Sequence, residues 1–246
     1  MSFAIFYLVP VSFAAWFVGR YADIVVSLIS GAVLEVSNDL AGLTFSSPLF
    51  YAWNTTARIV VFSLTAILLC KLHAVLEHER KLSRIDPLTE LMNRRAFQEE
   101  FARELRRAQR YDFPLTLAFI DLDDFKATND QFGHSAGDDL LCTIGGTIDR
   151  VIRETDIAAR FGGDEFAILF TNTNSVGAKK ALTKIHTHLQ QAMEQLGWAV
   201  TLSIGAVACP PLCSATVEEL FREADEIMYS VKKTGKDAMQ VITYTG

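Results

Sequence analysis

Charge is scarce in the first part of this chain. Of 52 charged residues in 246, only Arg20, Asp23, Glu35, Asp39 and Arg58 lie within positions 1–70, and no lysine occurs before Lys71. That part has the composition of a membrane region, and the remainder that of a soluble domain. Cysteine is also rare: Cys70, Cys142, Cys209 and Cys213. Only the last two are close, in Cys209-Pro-Pro-Leu-Cys213, and no second Cys or His pair completes a zinc set. Reduced thiols in a cytosolic domain are expected. A basic excess is missing too. The net charge of −6 argues against a general nucleic-acid binder, which needs a basic face for phosphates. A nucleotide enzyme survives that test, because a few local cations and metal ions suffice. There is no internal repeat or low-complexity tract. With 50% hydrophobic and 21% charged residues, the chain is not an intrinsically disordered one.

Three apolar stretches stand out: Phe3 to Val18, Ile24 to Leu34, and Ile59 to Cys70, which extends back through Leu49 to Trp53. A spanning helix needs about 20 apolar residues, and only the first comes close unaided. The others place Asp23, Glu35, Asn54 or Arg58 at an interface or against a neighbouring helix. The expectation is about three helices in residues 1–72, with one or two spans plus an interfacial segment as the alternative. Positions 35–57 contain no Lys or Arg, as suits an outer loop. Arg20 and the cluster Lys71, Arg80, Lys81 and Arg84 mark the cytoplasmic side. The first stretch lacks the basic start of a signal peptide, and it begins so near Met1 that an upstream helix stays an open question. Leu68, Val75 and Leu82 are seven apart, with Leu72 and Ile85 at offset positions. Residues 73–85 therefore suggest a helical signalling stalk that pairs two copies, or a solvated helix leaving the membrane.

Residues 86–246 form the soluble domain. Pro87 breaks the preceding helix, and an amphipathic helix runs from about Arg94 to Arg110. Leu115 to Ile120 reads as a buried strand ending in Asp121-Leu122-Asp123-Asp124. A helix follows from about Asp138 to Ile152. The runs Ile157 to Phe161 and Phe166 to Phe170 flank Gly162-Gly163, a hairpin signal. Helix (Val176 to Leu196), strand (Trp198 to Cys209), helix (Val217 to Lys233) and strand (Ala238 to Tyr244) complete the order. Hairpin strands mixed with crossover helices indicate an α+β domain with a mixed sheet.

Two carboxylate groups then invite comparison: Asp121 to Asp124 at the strand end, and Asp164-Glu165 after the two glycines. On adjacent strands these charges would repel, and a divalent cation with oxygen ligands, Mg²⁺ or Mn²⁺, would relieve the conflict. Gly162-Gly163 keeps side chains clear of an approaching ligand. Lys126 and Lys232 are candidates for phosphate charge. The residues alone support metal-assisted phosphoryl chemistry, or else a surface hairpin with solvated acids.

The segment Arg160-Phe161-Gly162-Gly163-Asp164-Glu165-Phe166 resembles the signature of GGDEF-domain diguanylate cyclases. Matching segments follow the family's order: Asp86-Pro87-Leu88-Thr89 with Asn93-Arg94-Arg95, and Asp121-Leu122-Asp123-Asp124-Phe125-Lys126 with Asn129-Asp130. Gly133-His134 with Gly137-Asp138, Ser203-Ile204-Gly205, and Ala224-Asp225 with Tyr229, Lys232 and Gly235 also fit. The likeness runs from about Leu82 to Tyr244.

The resemblance implies a GGDEF-type, nucleotidyl cyclase or palm-like domain over 86–246, with a central mixed sheet flanked by helices. It implies condensation of two GTP into cyclic di-GMP and two pyrophosphates, between two domains that face each other in a homodimer. Two Mg²⁺ (or Mn²⁺) per active site would be held by Asp121 and Glu165, with the Leu122 carbonyl and Asp164 close by. Lys126 and Lys232 would contact the triphosphate. Asn129 and Asp138 would read guanine, whose paired donors a buried Asp138 can accept; helix capping is their alternative role. Phe125, Gly162, Gly163 and Lys236 would line the substrate site. Arg153-Glu154-Thr155-Asp156 resembles the family's RxxD product-inhibitory site, with Arg153 and Asp156 as its ligands and Lys184 a candidate third. The implied location is the bacterial inner membrane, multi-pass, with the catalytic domain cytoplasmic. Lys236-Asp237 stands where the family often has Arg-Asn, so phosphate affinity or dimer contacts can differ. Glu90 stands where glycine is common, Thr128 replaces a usual aliphatic residue, and Ile227 and Val231 replace usual alanines. Two other classes remain: a non-catalytic GTP or cyclic di-GMP binding module, and a purely structural membrane anchor.

Overall fold

In the computed structural model, residues 48–245 are described as a continuous run, with scattered positions ahead of them. The chain divides into two units, Met1–Ser83 and Arg84–Gly246. In the first, helix α1 (Pro48–Leu82) is 35 residues long. Its segment Ile59–Leu76 covers 18 residues at mean hydropathy 2.3, long and apolar enough to cross a membrane. Val60, Val61, Leu64, Ile67 and Leu68 on it are exposed. The stretches expected at Phe3 to Val18 and Ile24 to Leu34 fall largely outside the described residues.

In the second unit, β-branched and aromatic runs form a six-stranded sheet in the order β1-β3-β4-β2-β5-β6. The strands are β1 (Met92–Asn93), β2 (Leu115–Leu122), β3 (Ile157–Gly162), β4 (Glu165–Phe170), β5 (Leu202–Cys209) and β6 (Ala238–Thr243). The β1–β3 and β5–β6 pairs are parallel and the rest antiparallel, so the sheet is mixed, as expected. The helices are α2 (Arg94–Tyr111), α3 (Phe125–Phe132), α4 (His134–Val151), α5 (Ser175–Leu196) and α6 (Val217–Thr234).

Every residue of β2 and β5 is buried, which means helices cover both faces of the sheet. One core joins Ala118, Ile120 and Leu122 of β2 to Leu140 and Ile144 of α4 and Leu182 and Ile185 of α5. The other joins Leu117 and Phe119 to Phe97 and Phe101 of α2 and Leu220 and Met228 of α6. The period-two alternation along β2 assigns its side chains to the two cores. Helix α6 lies directly on β5 at Gly205, where a Cβ would come within 2.7 Å of the Ala224 carbonyl oxygen. Polar side chains start the helices: Asn93 N-caps α2, Asn174 N-caps α5, and Thr216 and Glu219 form a capping box at the start of α6.

Some features differ from the sequence reading. Helix α3 and the short β1 were not anticipated, and β5 starts at Leu202 rather than Trp198. Cys209 and Cys213 are paired in a disulfide, in place of the expected reduced thiols. The turn after β5, closed by the Cys213 amide on the Pro210 carbonyl, returns Cys213 to the strand end. Glu90 adopts φ +61, a left-handed conformation natural to glycine.

Candidate active site

The site forms where β2 ends and the β3–β4 hairpin turns. Antiparallel pairing sets Asp121 of β2 opposite Glu165 of β4 and Ser203 of β5. The next amide, of Leu122, donates to the Asp164 carbonyl at 3.3 Å. Asp121, Leu122, Asp164 and Glu165 are thereby gathered by the sheet register itself. Gly162 and Gly163 turn the hairpin at φ +149 and +53 with open space where a Cβ would stand.

Asp121 is buried, and its Oδ1 accepts from Lys232 Nζ of α6 at 2.5 Å. Burial pushes the Asp121 carboxyl above its usual range; Lys232 pulls it back, while Asp164 and Asp123 push it further up. Glu165 is raised as well, by burial and then by Asp121, Asp164 and Asp225, with Arg94 opposing. Burial would lower the Lys232 ammonium, but Asp121, Asp164 and Asp123 outweigh it and hold the ammonium above its usual value. These are mutually repelling carboxylates around a position that already attracts a cation.

Their donor chemistry fits a hard divalent ion: carboxylate oxygens with the Leu122 carbonyl beside them. Among the described residues no group of three or more His, Cys, Asp or Glu is preassembled around an ion position. Lys232 occupies Asp121 Oδ1, and a cation bound through that oxygen would displace it.

On the other side of β2, Asp124 takes φ +59 and starts α3 without a side-chain cap. Phe125 packs against the first core, Lys126 is exposed and Asn129 is half-buried. A Cβ at Gly137 would run into Asn129 Oδ1, so glycine lets the amide lie against the start of α4. Asp138 follows at once and is exposed, not buried; its burial would have to come from a bound base. Neither residue caps a helix here: the N-caps are Asp124 for α3 and Gly133 for α4. Lys236 Nζ reaches both oxygens of Asp124 at 2.8 Å.

The sequence reading left Arg160 and Asp86 without roles. Arg160 donates through Nε and Nη2 to the Gly163 carbonyl at 3.0 and 2.8 Å, and through Nη1 to Asp86 Oδ1 at 3.3 Å. The same Asp86 oxygen accepts from the Thr89 amide and hydroxyl. This ties the Asp-Pro-Leu-Thr turn to the glycine hairpin. The motif at Asp86 was the available signal, but only long-range contact shows its use.

Arg153 and Asp156 lie elsewhere, bordering a cavity of about 290 Å³ with Phe170, Thr173, Lys180 and Lys184. Asp156 is buried and accepts from the amides of Arg153 and Thr171 at 3.2 and 3.3 Å. Arg153 is exposed. Lys184 does share this cavity with Arg153.

Comparison with known proteins places this geometry. The family model described as "Diguanylate cyclase, GGDEF domain" matches residues 83–238. The chain is 34% identical over 172 residues to the diguanylate cyclase DgcP of Pseudomonas aeruginosa, covering 69% of this chain and 25% of that protein. It is 30% identical over 233 residues to the probable diguanylate cyclase DgcC of Escherichia coli, covering 87% of this chain and 61% of that one. The chain thus spans less than two thirds of either relative's length. The crystal structure of the GGDEF domain of DgcB from Caulobacter crescentus in complex with c-di-GMP superposes with a TM-score of 0.58. It is 28% identical and covers 65% of this chain and 95% of that domain.

Proposed function

The chain belongs to the GGDEF family of diguanylate cyclase domains, and from this we propose that residues 86–246 condense two GTP into cyclic di-GMP and two pyrophosphates. The observation that carries the reading is the register of Asp121 against Glu165, with Lys232 drawn onto Asp121. Each 3′-oxygen forms a bond to the α-phosphorus of the other GTP. The bond from that phosphorus to the β-phosphate bridge breaks, pyrophosphate leaves, and the hydroxyl proton departs through a carboxylate, Asp164 or Glu165. Bound Mg²⁺ or Mn²⁺, two per site, supplies neutralisation of the triphosphate and a more acidic 3′-hydroxyl. Asp121, Glu165 and the Leu122 carbonyl would hold the ions, with Asp164 beside them.

Lys232, displaced from Asp121, and Lys126 stabilise charge on the leaving pyrophosphate. Asn129 and Asp138 bond the guanine edges. One domain holds one GTP, so turnover requires two chains face to face. The cationic cavity at Arg153, Lys180 and Lys184 suits the phosphates of cyclic di-GMP and supports product inhibition there. Attachment of α1 to a membrane at Ile59–Leu76 rests on its length, hydropathy and exposed apolar side chains. Residues 73–85 would act as the stalk between anchor and domain.

The test uses detergent-solubilised full chain with GTP and Mg²⁺, and identification of the product by mass. Cyclic di-GMP supports the reading; folded, dimeric protein yielding none refutes the cyclase. Protease accessibility of terminal tags on sealed vesicles checks the anchor: expected are termini on opposite sides, and termini on one side contradict three spans.

A further inference from the structure

Asp123 directly follows the expected metal ligands Asp121 and Leu122 and has no place in the reaction so far. It is 1% exposed. Its carboxylate accepts from Thr201 Oγ1 at 2.7 Å, Ser203 Oγ at 2.8 Å and the Asp237 amide at 3.1 Å. Its own amide donates to the Thr201 carbonyl. A carboxylate so deeply buried is tolerated because these donors satisfy it. One donor stands apart. Thr201 and Ser203 belong to the neighbouring β5 region, whereas Asp237 lies in the turn between α6 and β6.

That turn is strained. Lys236 and Asp237 take φ +60 and +44, conformations that cost non-glycine residues energy and persist only where neighbours impose them. Asp123 holds the turn from inside through the Asp237 amide. From outside, the Asp237 carboxylate meets His186 Nε2 at 3.1 Å and Gln190 Nε2 at 3.4 Å. The side chain this clamp orients is Lys236, whose ammonium is at Asp124 beside the site. A lysine has no planar fork to find its own phosphate geometry, so its placement depends on its backbone.

We infer that Asp123 is a positioning residue that sets the Lys236 turn and so aims Lys236 at the β- and γ-phosphates of GTP. The inference rests on the cyclase reading. It is tested by equilibrium binding to the detergent-solubilised full chain with Ca²⁺ in place of Mg²⁺, comparing GTP with GMP. Asp123→Asn should weaken GTP binding about tenfold, the scale of one charge-assisted contact, and leave GMP within about twofold. Lys236→Ala should do the same, and the double variant should lose no more than either single change. If Asp123→Asn unfolds, Thr201→Val removes one donor and keeps both charges. It should weaken GTP by about threefold with GMP unmoved. An equal loss for GTP and GMP, an unchanged GTP affinity, or losses that multiply in the double variant would overturn the positioning role. If the unaltered chain binds no GTP, the cyclase reading itself fails.

Discussion

Asp121 and Asp156 are both buried, and burial pushes both carboxyls above their usual range, yet the surroundings of the two are opposite. Asp121 faces Asp164 and Glu165, and a single ammonium holds it. Asp156 is satisfied by two backbone amides, and the other charged side chains bordering its cavity are cationic: Arg153, Lys180 and Lys184. One region collects negative charge that a metal can neutralise, whereas the other has consumed its carboxylate internally and offers positive charge to a phosphate. A buried aspartate alone therefore identifies no role; what its oxygens already bind does.

The sharpest way to break this contrast is at the acidic site. Glu165→Ala should cut cyclic di-GMP formation by at least about a hundredfold, the scale of losing a group that acts on the reacting atoms, without changing the thermal unfolding midpoint by more than a few degrees. At the other region the order inverts. Asp156→Ala should cost about 2 kcal/mol of stability, because two buried amides lose their acceptor, measured by urea unfolding. Arg153→Ala should leave stability unchanged and weaken product inhibition about tenfold, read from progress curves with added cyclic di-GMP. Mg²⁺ sharpens the distinction further. It should stabilise the unaltered protein by about 1.4 kcal/mol at a concentration about ten times its Kd, lose that effect in Asp121→Ala, and keep it in Asp156→Ala.

The smallest effect concerns pH. Asp156 has a folded carboxyl raised above the unfolded one, so its contribution to stability is full below about 3.8 and is lost as pH rises through the higher folded value. Asp86 runs the other way. Burial would raise it, but the Thr89 amide and hydroxyl and Arg160 outweigh burial and lower it. Its stabilisation is present above the unfolded value and lost as pH falls through the folded one. Asp86→Asn should therefore flatten the acid side of the stability profile between pH 5 and 3, and Asp156→Asn should not.

Much of this domain is legible along the chain. The strands β2, β4 and β5 are continuous apolar runs, and α5 and α6 carry their own caps and apolar stripes, so local pattern suffices. Helix α3 escaped because its sequence, Phe125-Lys-Ala-Thr-Asn-Asp-Gln-Phe132, is short and largely polar and its N-cap makes no side-chain bond; only Phe125 and Thr128 turn toward the interior. Met92–Asn93 is too short to show a period. Asp121, Glu165 and Lys232 could be named from motif and charge, but the register that assembles them is a property of the sheet. The bonds from Arg160 to Asp86 and from the Asp237 amide to Asp123 span 74 and 114 positions of sequence, and no local signal reveals such partners. Cys209 and Cys213 depend on the path of the intervening turn.

The central claim is that the carboxylates at the β2 end and the hairpin run a cyclising condensation. It is tested most directly by measuring pyrophosphate and cyclic di-GMP together from one reaction of the full chain with GTP and Mg²⁺, beside Glu165→Ala. The account predicts two pyrophosphates for each cyclic product, and neither from the variant. Pyrophosphate or phosphate released without cyclic di-GMP, or equal turnover by the variant, would contradict it.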